Sequence, residues 1–416
     1  MTVAFHHLAN YSYLGANQST TLKATHHIKL LFAVILLAPL TLIGQNTHIS
    51  TGAEQTETYI PLLSGKRVAI VANHSTLVNG KHLVDTLIQR NVSIAKIFSP
   101  EHGFRGQEEA GALINNHIDS ITGLPVISLY GSKKKPLAKD LKDIDIIVFD
   151  LQDVGVRYYT YISTMHYVME ACAENNVALV VLDRPNPNGF FVDGPMLDTT
   201  YRSFVGMHPV PLVHGLTIGE FAQMINGEKW LSNGVTCSLS VIPCAGYTHS
   251  TTYQLPVKPS PNLPNQTSVY LYPSLGLFEG TSYSIGRGTS FPFQVFGHPK
   301  FPDKTFKFSP KSIPGVSKNP PHKGKVCYGV DLRMYNESYF INLKSINLEW
   351  LIFAYNLSHD KSTFFNSFFN TLAGTPVLRQ QIEQGMDAES IRATWAADIA
   401  TFKSTRNKYL LYPDFE

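Results

Sequence analysis

The chain has 416 residues, of which 44% are hydrophobic and 16% are charged. This apolar content excludes a chain that is disordered throughout, and the length corresponds to two or three domains of about 100–200 residues each. The formal net charge of +3 gives no broad basic surface, so nucleic acid is not expected as a partner, and four cysteines are too few for a disulfide scaffold.

The first predicted element is a secretory signal within residues 1–45. Its apolar run, residues 30–43 (LLFAVILLAPLTLI), follows a basic flank and is shorter than the ~20 residues of a spanning helix. A buried helix is the alternative, but nothing nearby has amphipathic character. We therefore expect a periplasmic or secreted protein with no integral membrane association after signal removal. Export permits disulfides, and Cys237 and Cys244 are close enough in sequence to pair.

Residues 61–215 are predicted to form a Rossmann-like, doubly wound α/β domain with a parallel sheet. Short, nearly continuous apolar runs alternate with helical or loop segments, which is typical of strands covered on both faces. Between the last two runs, Ile162, Met165, Met169 and Cys172 share one face of a helix that begins near Tyr159. The predicted strands are RVAIVA (67–72), VSIAKIF (92–98), LPVISLY (124–130), IDIIVF (144–149) and VALVVL (177–182).

The chain changes in character from about residue 215 onward, where glycine and proline are frequent and short β-type runs such as residues 235–242 appear. The segment 300–325 is rich in lysine and proline, and we interpret it as a solvated loop rather than a binding patch. Two helices are predicted near the end of the chain. Their apolar residues are Leu348, Leu351, Ile352 and Tyr355 in the first, and Ile391, Trp395, Ile399 and Phe402 in the second.

Polar clusters follow several predicted strands, at the sheet edge where α/β proteins bind ligands. They are NHS (73–75), SPEHGFRG (99–106), DLQDVGVRYYTY (150–161) and DRPNPNG (183–189). The stretches PSPNLP (259–264) and LFEGTSYSIGRGTSFPF (277–293) are expected to supply the other wall of a cleft. Each cluster also has a structural interpretation. Glu101 can pair with Arg105 or cap a helix, Asp150 and Asp153 can be strand-end and helix-cap acids, Asp183 and Arg184 can hold a rigid turn, and His102 can be a hydrogen-bonded structural group.

Several chemistries are excluded because their motifs are missing: the dinucleotide fingerprint, the phosphate loop, H-E-x-x-H and the G-x-S-x-G elbow. No cofactor and no metal site is predicted. The remaining carboxylates, arginines, amides and aromatics suit glycoside cleavage, which uses two acidic side chains beside an anomeric carbon. A sugar-binding protein without catalysis has the same inventory and is the alternative. A third alternative, a phosphate- or nucleotide-using enzyme, is disfavoured because this sequence has no glycine-rich loop to hold a phosphate.

Taken together, SPEHGFRG, DLQDVGVRYYTY, LDRPNPNG, HGLTIGE (214–220), PSPNLP, LFEGTSYSIGRGT and RNKYLLYP (406–413) resemble the exo-β-N-acetylmuramidase family. The resemblance is collinear from about residue 61 to the end of the chain. It implies an exported glycoside hydrolase that removes N-acetylmuramic acid from the non-reducing end of peptidoglycan fragments. It also implies a Rossmann-like domain joined to a smaller α+β domain, residues 216–416, with the active site in the cleft between them. One departure is Tyr283, where Asn is expected, and it is predicted to alter a subsite rather than abolish activity.

Residue roles follow from the same resemblance. Glu101 in SPEHG is the first choice for the general acid, Glu279 in LFEGT is the candidate for its partner, and Asp153 is the rival. The guanidiniums of Arg157, Arg184 and Arg287 are candidates for binding the lactyl carboxylate, since arginine offers a two-pronged grip on a carboxylate. The remaining predicted substrate-binding residues are His102, Arg105, Asp150, Gln152, Tyr158, Tyr159, Asp183, Asn186 and Asn262.

Overall fold

A seven-stranded sheet forms the centre of the structure, a computed structural model that describes residues 48–105 and 116–416. The predicted signal, residues 1–45, lies outside the described residues. The strand order is β5-β6-β4-β1-β7-β8-β9, and a three-stranded antiparallel sheet has the order β10-β12-β11. The strands are β1 (Val68–Ala72), β2 (Leu77–Val78), β3 (Lys81–His82), β4 (Ile94–Ser99), β5 (His117–Ile118), β6 (Pro125–Ser128), β7 (Ile146–Asp150), β8 (Ala178–Leu182), β9 (Leu239–Ile242), β10 (Val295–His298), β11 (Lys307–Phe308) and β12 (Cys327–Asp331).

The α/β prediction is confirmed, and the five predicted runs become β1, β4, β6, β7 and β8. The sheet is mixed rather than wholly parallel, because β5 pairs with β6 in antiparallel orientation. The connection between these two strands is a short turn, whereas a parallel connection needs about a dozen residues or more.

Helices cover both faces of the sheet, as the apolar runs predict. Alternate residues of β1 pack into two different clusters: Ala69 and Val71 join one, while Val68, Ile70 and Ala72 join the other. The described α-helices are α1 (Thr56–Leu63), α2 (Leu83–Gln89), α3 (Ala138–Leu141), α4 (Tyr161–Asn175), α5 (Ile218–Gly227), α6 (Gln266–Leu275), α7 (Glu337–Leu343), α8 (Glu349–Asn356), α9 (Phe368–Ala373), α10 (Val377–Glu383), α11 (Ala388–Ala393) and α12 (Ala396–Arg406).

The helix α4 buries the predicted stripe, including Cys172, against the sheet. The predicted second closing helix is wrong in its continuity, since it is divided into α11 and α12 at Trp395. The Thr394 hydroxyl donates to the Ile391 carbonyl, and the Trp395 indole N–H donates to Asp193. Side-chain hydrogen bonds of this kind compete with a continuous helical ladder.

All described residues belong to one compact unit, and the larger core cluster continues from the sheet into the segment after residue 260. The sheet also takes β9 from the part of the chain predicted to form the smaller domain. The division at residues 61–215 and 216–416 stays a prediction. Cys237 and Cys244 are both free thiols, so the suggested pairing is not present. No helix in the described part combines the length and apolarity needed to cross a bilayer.

Candidate active site

Two adjoining cavities lie beyond the carboxyl ends of β4 and β7, where parallel α/β sheets bind ligands. The smaller has a volume of about 70 Å³ and the larger of about 560 Å³. Both are lined by Glu101, which follows β4, and by Tyr158 and Thr160, which precede α4. Segments after residue 258 supply the opposite wall of both cavities. Glu101, Glu279 and Arg287 therefore come together from distant parts of the chain, and we call this combined space the cleft.

Glu101 is half-buried in the cleft and accepts a hydrogen bond from the Thr160 hydroxyl, with 3.1 Å between the oxygens. The nearby phenol of Tyr161 accepts a hydrogen bond of 2.7 Å from the Asn73 amide. Burial raises the pKa of Tyr161 well above its ordinary value, and the charge of Glu101 is the second-largest cause. This phenol therefore stays neutral. The Thr160 hydroxyl is thus an uncharged hydrogen-bond partner of Glu101, and Tyr161 lines the same small cavity.

Glu279 lies in a short 3₁₀ turn, Gly276–Gly280, and forms an ion pair with Arg287 inside the cleft. The Arg287 Nε and Nη2 atoms lie 2.9 Å and 2.6 Å from Glu279 Oε1. The same guanidinium lies over the ring of Phe293 at 5.0 Å. Because both partners are partly exposed, the carboxylate and the guanidinium both stay within the reach of a ligand.

Tyrosines form one wall of the cleft, and their hydroxyls are already bonded to backbone carbonyls. Tyr158 donates to the carbonyls of Tyr272 and Pro273, both at 2.8 Å, and Tyr159 donates to that of Pro259 at 2.7 Å. These bonds hold the rings in place, so the rings rather than the hydroxyls are available to a sugar face.

His102 and Asn262 complete the smaller cavity, as the sequence predicts. His102 has a left-handed backbone (φ +73°), and its Nε2 lies 3.2 Å from the Ser260 hydroxyl. The Asn262 amide donates to the Val316 carbonyl at 2.9 Å, while its Oδ1 is buried and has no hydrogen-bond partner within the described chain. An unsatisfied buried acceptor beside a cavity is suited to an N–H group of a ligand.

Asp150 and Arg184 lie outside the residues that line the cleft and form a buried ion pair instead. The Arg184 Nε and Nη2 atoms lie 2.5 Å and 2.8 Å from the two carboxylate oxygens, and Nη2 also reaches the Leu77 carbonyl at 3.0 Å. The structural interpretation of these residues fits this geometry, and their predicted contact with substrate is not supported by it.

Asp183 is fully buried and accepts four hydrogen bonds that join three segments. Its carboxylate accepts from the backbone of Arg184 and Gly219, the hydroxyl of Thr217 and the phenol of Tyr412, at 2.5 to 2.9 Å. Burial is the main cause that raises the pKa of Asp183 to about 6. The carboxylate therefore ties β8 to α5 and to the C-terminal tail, away from the cleft.

Gln152 and Asn186 are also buried and bonded to the backbone. Gln152 donates to the carbonyls of Asp153 and Pro185, both at 2.8 Å, and Asn186 donates to that of Leu216 at 2.9 Å. Neither side chain lines the cleft.

Asp153, the rival for the second carboxylate, is also buried outside the cleft lining. Its Oδ2 accepts from the Gly155 backbone at 2.7 Å, and its Oδ1 has no partner in the described part of the chain. Burial raises its pKa to about 7, which is the property of a general acid. Its position nevertheless gives it no direct access to a ligand in the cleft.

Two predicted arginines have other partners. Arg157 is fully buried, where burial lowers its pKa to about 9, and it donates to the carbonyls of Pro195, Val210 and Ala373 at 2.6 to 2.8 Å. Arg105 pairs with Asp119 at 2.9 Å and lies outside the cleft lining. Of the three guanidiniums proposed for the lactyl group, only that of Arg287 lines the cleft.

Several cleft residues were not predicted. Thr160 lies within a motif that pointed to the site, whereas Tyr272 lies in an apolar helix and Phe204 in a loop, so no local signal marks either one. Residues 316–319 also line the larger cavity, so the segment 300–325 is not merely a solvated loop. Tyr283 lies outside the cleft lining, buried with its phenol bonded to the Ala354 carbonyl. Within residues 48–105 and 116–416, no group of three metal-ligating side chains is arranged to hold an ion.

Two family models match the chain: "Exo-beta-N-acetylmuramidase NamZ, N-terminal" over residues 68–267, and "Exo-beta-N-acetylmuramidase NamZ, C-terminal" over residues 270–412. The peptidoglycan beta-N-acetylmuramidase NamZ of Bacillus subtilis is 39% identical over 372 residues, which cover 85% of this chain and 89% of that protein. Crystal structures of two DUF1343 family proteins from Bacteroides fragilis are similar to this fold, with TM-scores of 0.82 and 0.72 at 50% and 32% identity. Each of these two matches covers 88% of this chain and 99% of the Bacteroides fragilis chain.

Proposed function

Because this chain belongs to the exo-β-N-acetylmuramidase family and is therefore a glycoside hydrolase, we propose that it releases N-acetylmuramic acid from the non-reducing end of peptidoglycan fragments. The observation that carries the proposal is the meeting of Glu101 and Glu279 in one cleft. Glycoside hydrolysis requires two carboxyl groups beside the scissile bond, one that donates a proton and one that stays ionised.

The surroundings of the two carboxyls support different roles for them. Glu101 has the neutral hydroxyl of Thr160 as a partner, and we assign it the proton donor that protonates the leaving glycosidic oxygen. Glu279 is paired with Arg287, and we assign it the carboxylate that faces the developing positive charge at the anomeric carbon. Asp153 has a pKa of about 7, which suits a proton donor, but its side chain is buried and lines neither cavity.

Substrate recognition is assigned to three features of the same cleft. The ion pair with Glu279 uses Nε and Nη2 of Arg287, which leaves Nη1 to meet the lactyl carboxylate. The free acceptor of Asn262 suits the N–H of the acetamido group. The rings of Tyr158 and Tyr159 offer apolar faces to the sugar.

The assignment of Glu101 is tested with two substrates that differ in their leaving group. A muramyl disaccharide needs protonation of its leaving oxygen, whereas 4-nitrophenyl muramide leaves as a stable phenolate. Glu101→Gln should lower turnover of the disaccharide by about 10²–10⁴-fold and that of the nitrophenyl substrate much less. Glu279→Gln should impair both, and Glu389→Gln, an exposed glutamate of α11, should impair neither.

Two outcomes contradict the proposal. If Glu101→Gln slows both substrates equally while keeping its fold, Glu101 is not the proton donor. If the wild-type protein binds the disaccharide but releases no N-acetylmuramic acid, the chain is the sugar-binding protein that the sequence left as an alternative.

We also propose that the protein works in the periplasm or outside the cell, since its substrate is part of the cell wall. Residues 30–43 carry the predicted signal. Fractionation of cells, with N-terminal sequencing of the mature protein, should find a chain that begins near Gln45. A cytoplasmic protein that retains residues 1–44 would contradict this location.

A further inference from the structure

A third cavity, with a volume of about 480 Å³, lies outside the cleft and has a basic lining. It is formed by four separate segments: Ser282, the end of β10 with the residues after it, the end of the lysine-rich segment 300–325, and the turn after α8. The described lining residues that can carry charge are His298, Lys300, His322, Lys325, His359 and Asp360. Two lysines and three histidines thus face one carboxylate.

The carboxylate of Asp360 already accepts hydrogen bonds within the turn that it caps. It accepts from the backbone N–H and the hydroxyl of Ser362, at 3.0 Å and 2.6 Å, and these bonds lower its pKa. Lys300 and Lys325 are both exposed, and neither is among the lysines that form ion pairs in the described chain. The two ammonium groups therefore remain available to a ligand.

Of the three histidines, His298 adds a hydrogen-bond donor with a defined tautomer, while His322 is bonded to the backbone. His298 Nδ1 accepts from the Lys300 backbone N–H at 3.1 Å, which places the hydrogen of the neutral ring on Nε2. Burial, followed by the neighbouring cations, lowers the pKa of His298 to about 4, so this ring stays neutral. His322 donates from Nε2 to the Ser282 carbonyl at 2.7 Å, and its ring stands perpendicular to that of His298 at 4.8 Å.

We propose that this cavity binds a phosphoryl group. Lysine binds phosphate as a point charge, and the ammonium groups of Lys300 and Lys325 with the Nε2–H of His298 bring donors from two segments to one cavity, which suits an anion with three or more oxygens. A planar carboxylate is more often held by the fork of an arginine, and the lining described here contains none. A cation is not favoured, because the histidines here are not arranged with other ligands to hold a metal ion in the described structure. The site is independent of the activity proposed for the cleft.

The proposal is tested by isothermal titration of the full chain with inorganic phosphate at constant ionic strength. Wild-type protein should bind one phosphate saturably, and Lys300→Ala/Lys325→Ala should bind it about tenfold or more weakly. The matched control is Lys307→Ala/Lys311→Ala, which removes the same charge from the same segment but outside the cavity. Both double variants should keep the wild-type melting temperature and the wild-type turnover of the muramide. A negative result in the phosphate titration can therefore be distinguished from a failure of the proposed hydrolase function.

Two results would overturn the site: no saturable binding of phosphate up to about 10 mM, or equal weakening in both double variants, which would indicate diffuse attraction only. Two further binding experiments distinguish a soluble phosphoryl ligand from a lipid headgroup. Binding of glycerol 1-phosphate without binding of phosphatidylglycerol vesicles supports a soluble phosphoryl ligand. Vesicle binding that Lys300→Ala/Lys325→Ala selectively abolishes supports a lipid headgroup.

Discussion

Replacing Asp150 with Asn tests whether Arg184 has a structural task or binds substrate. Asp150 is 0% exposed and Arg184 is 3% exposed, and their side chains share two charge-assisted hydrogen bonds. The pair connects the ends of β7 and β8, and Arg184 continues to the Leu77 carbonyl at 3.0 Å. The substitution leaves a guanidinium buried without its counter-charge.

Removing one partner of a buried ion pair costs about 3–5 kcal/mol of unfolding free energy, because the remaining charge cannot regain its hydration. The amide of Asn keeps one acceptor oxygen for Arg184, so we expect a loss of about 3 kcal/mol. Substrate affinity should change little, since neither side chain lines the cleft.

The assay combines urea denaturation, followed by circular dichroism, with steady-state kinetics on the chromogenic muramide. Asp150→Asn should lower the urea midpoint without changing the slope, and KM should stay within about twofold. The contrasting variant is Arg287→Met, which should raise KM while costing about 1 kcal/mol or less, because its pair with Glu279 is partly exposed. A stable Asp150→Asn variant with a strongly raised KM would refute the reasoning and would indicate that Arg184 binds the substrate.

Three further predictions concern the cleft and its surroundings. Burial raises the pKa of Asp153 to about 7, so the wild-type chain should lose up to about 4 kcal/mol of unfolding free energy relative to Asp153→Asn as the pH rises from 4 to 7; paired denaturation curves with no such pH-dependent difference would contradict this. Gly276→Ala would place a methyl group against the ring of Tyr158, and kcat/KM should fall by about tenfold or more in the muramidase assay; unchanged kinetics would show that this ring is free to move. Thr160→Val removes the hydrogen bond to Glu101 and should lower kcat about tenfold with little change in the melting temperature, while Thr160→Ser should restore it.

The strands could be predicted from the sequence because their signal is local. Each run is apolar at nearly every position, and β1 and β7 are buried at all of their residues. The boundary between α11 and α12 was missed, since the partner of Trp395 is Asp193, about two hundred positions earlier in the chain. No local pattern reveals such a contact.

The motif DLQDVGVRYYTY shows how far the site itself could be predicted. The motif was correctly expected at the edge of the sheet, and Tyr158, Tyr159 and Thr160 line the cleft. Its earlier charged and amide residues are directed to buried partners instead. The chain turns at Gly155 (φ +74°), where a side chain would collide with Asn186, and this turn separates the two halves of the motif.

By itself, the sequence determined the α/β fold and brought Glu101, Glu279 and Asp153 forward as candidate carboxyls, since apolar runs and long motifs are properties of contiguous residues. Only the tertiary structure decided which charged residues meet in the cleft and which form buried ion pairs or hydrogen bonds elsewhere. A carboxylate or guanidinium takes the partner that folding brings within about 3 Å, and that partner is set by packing rather than by its neighbours in the chain.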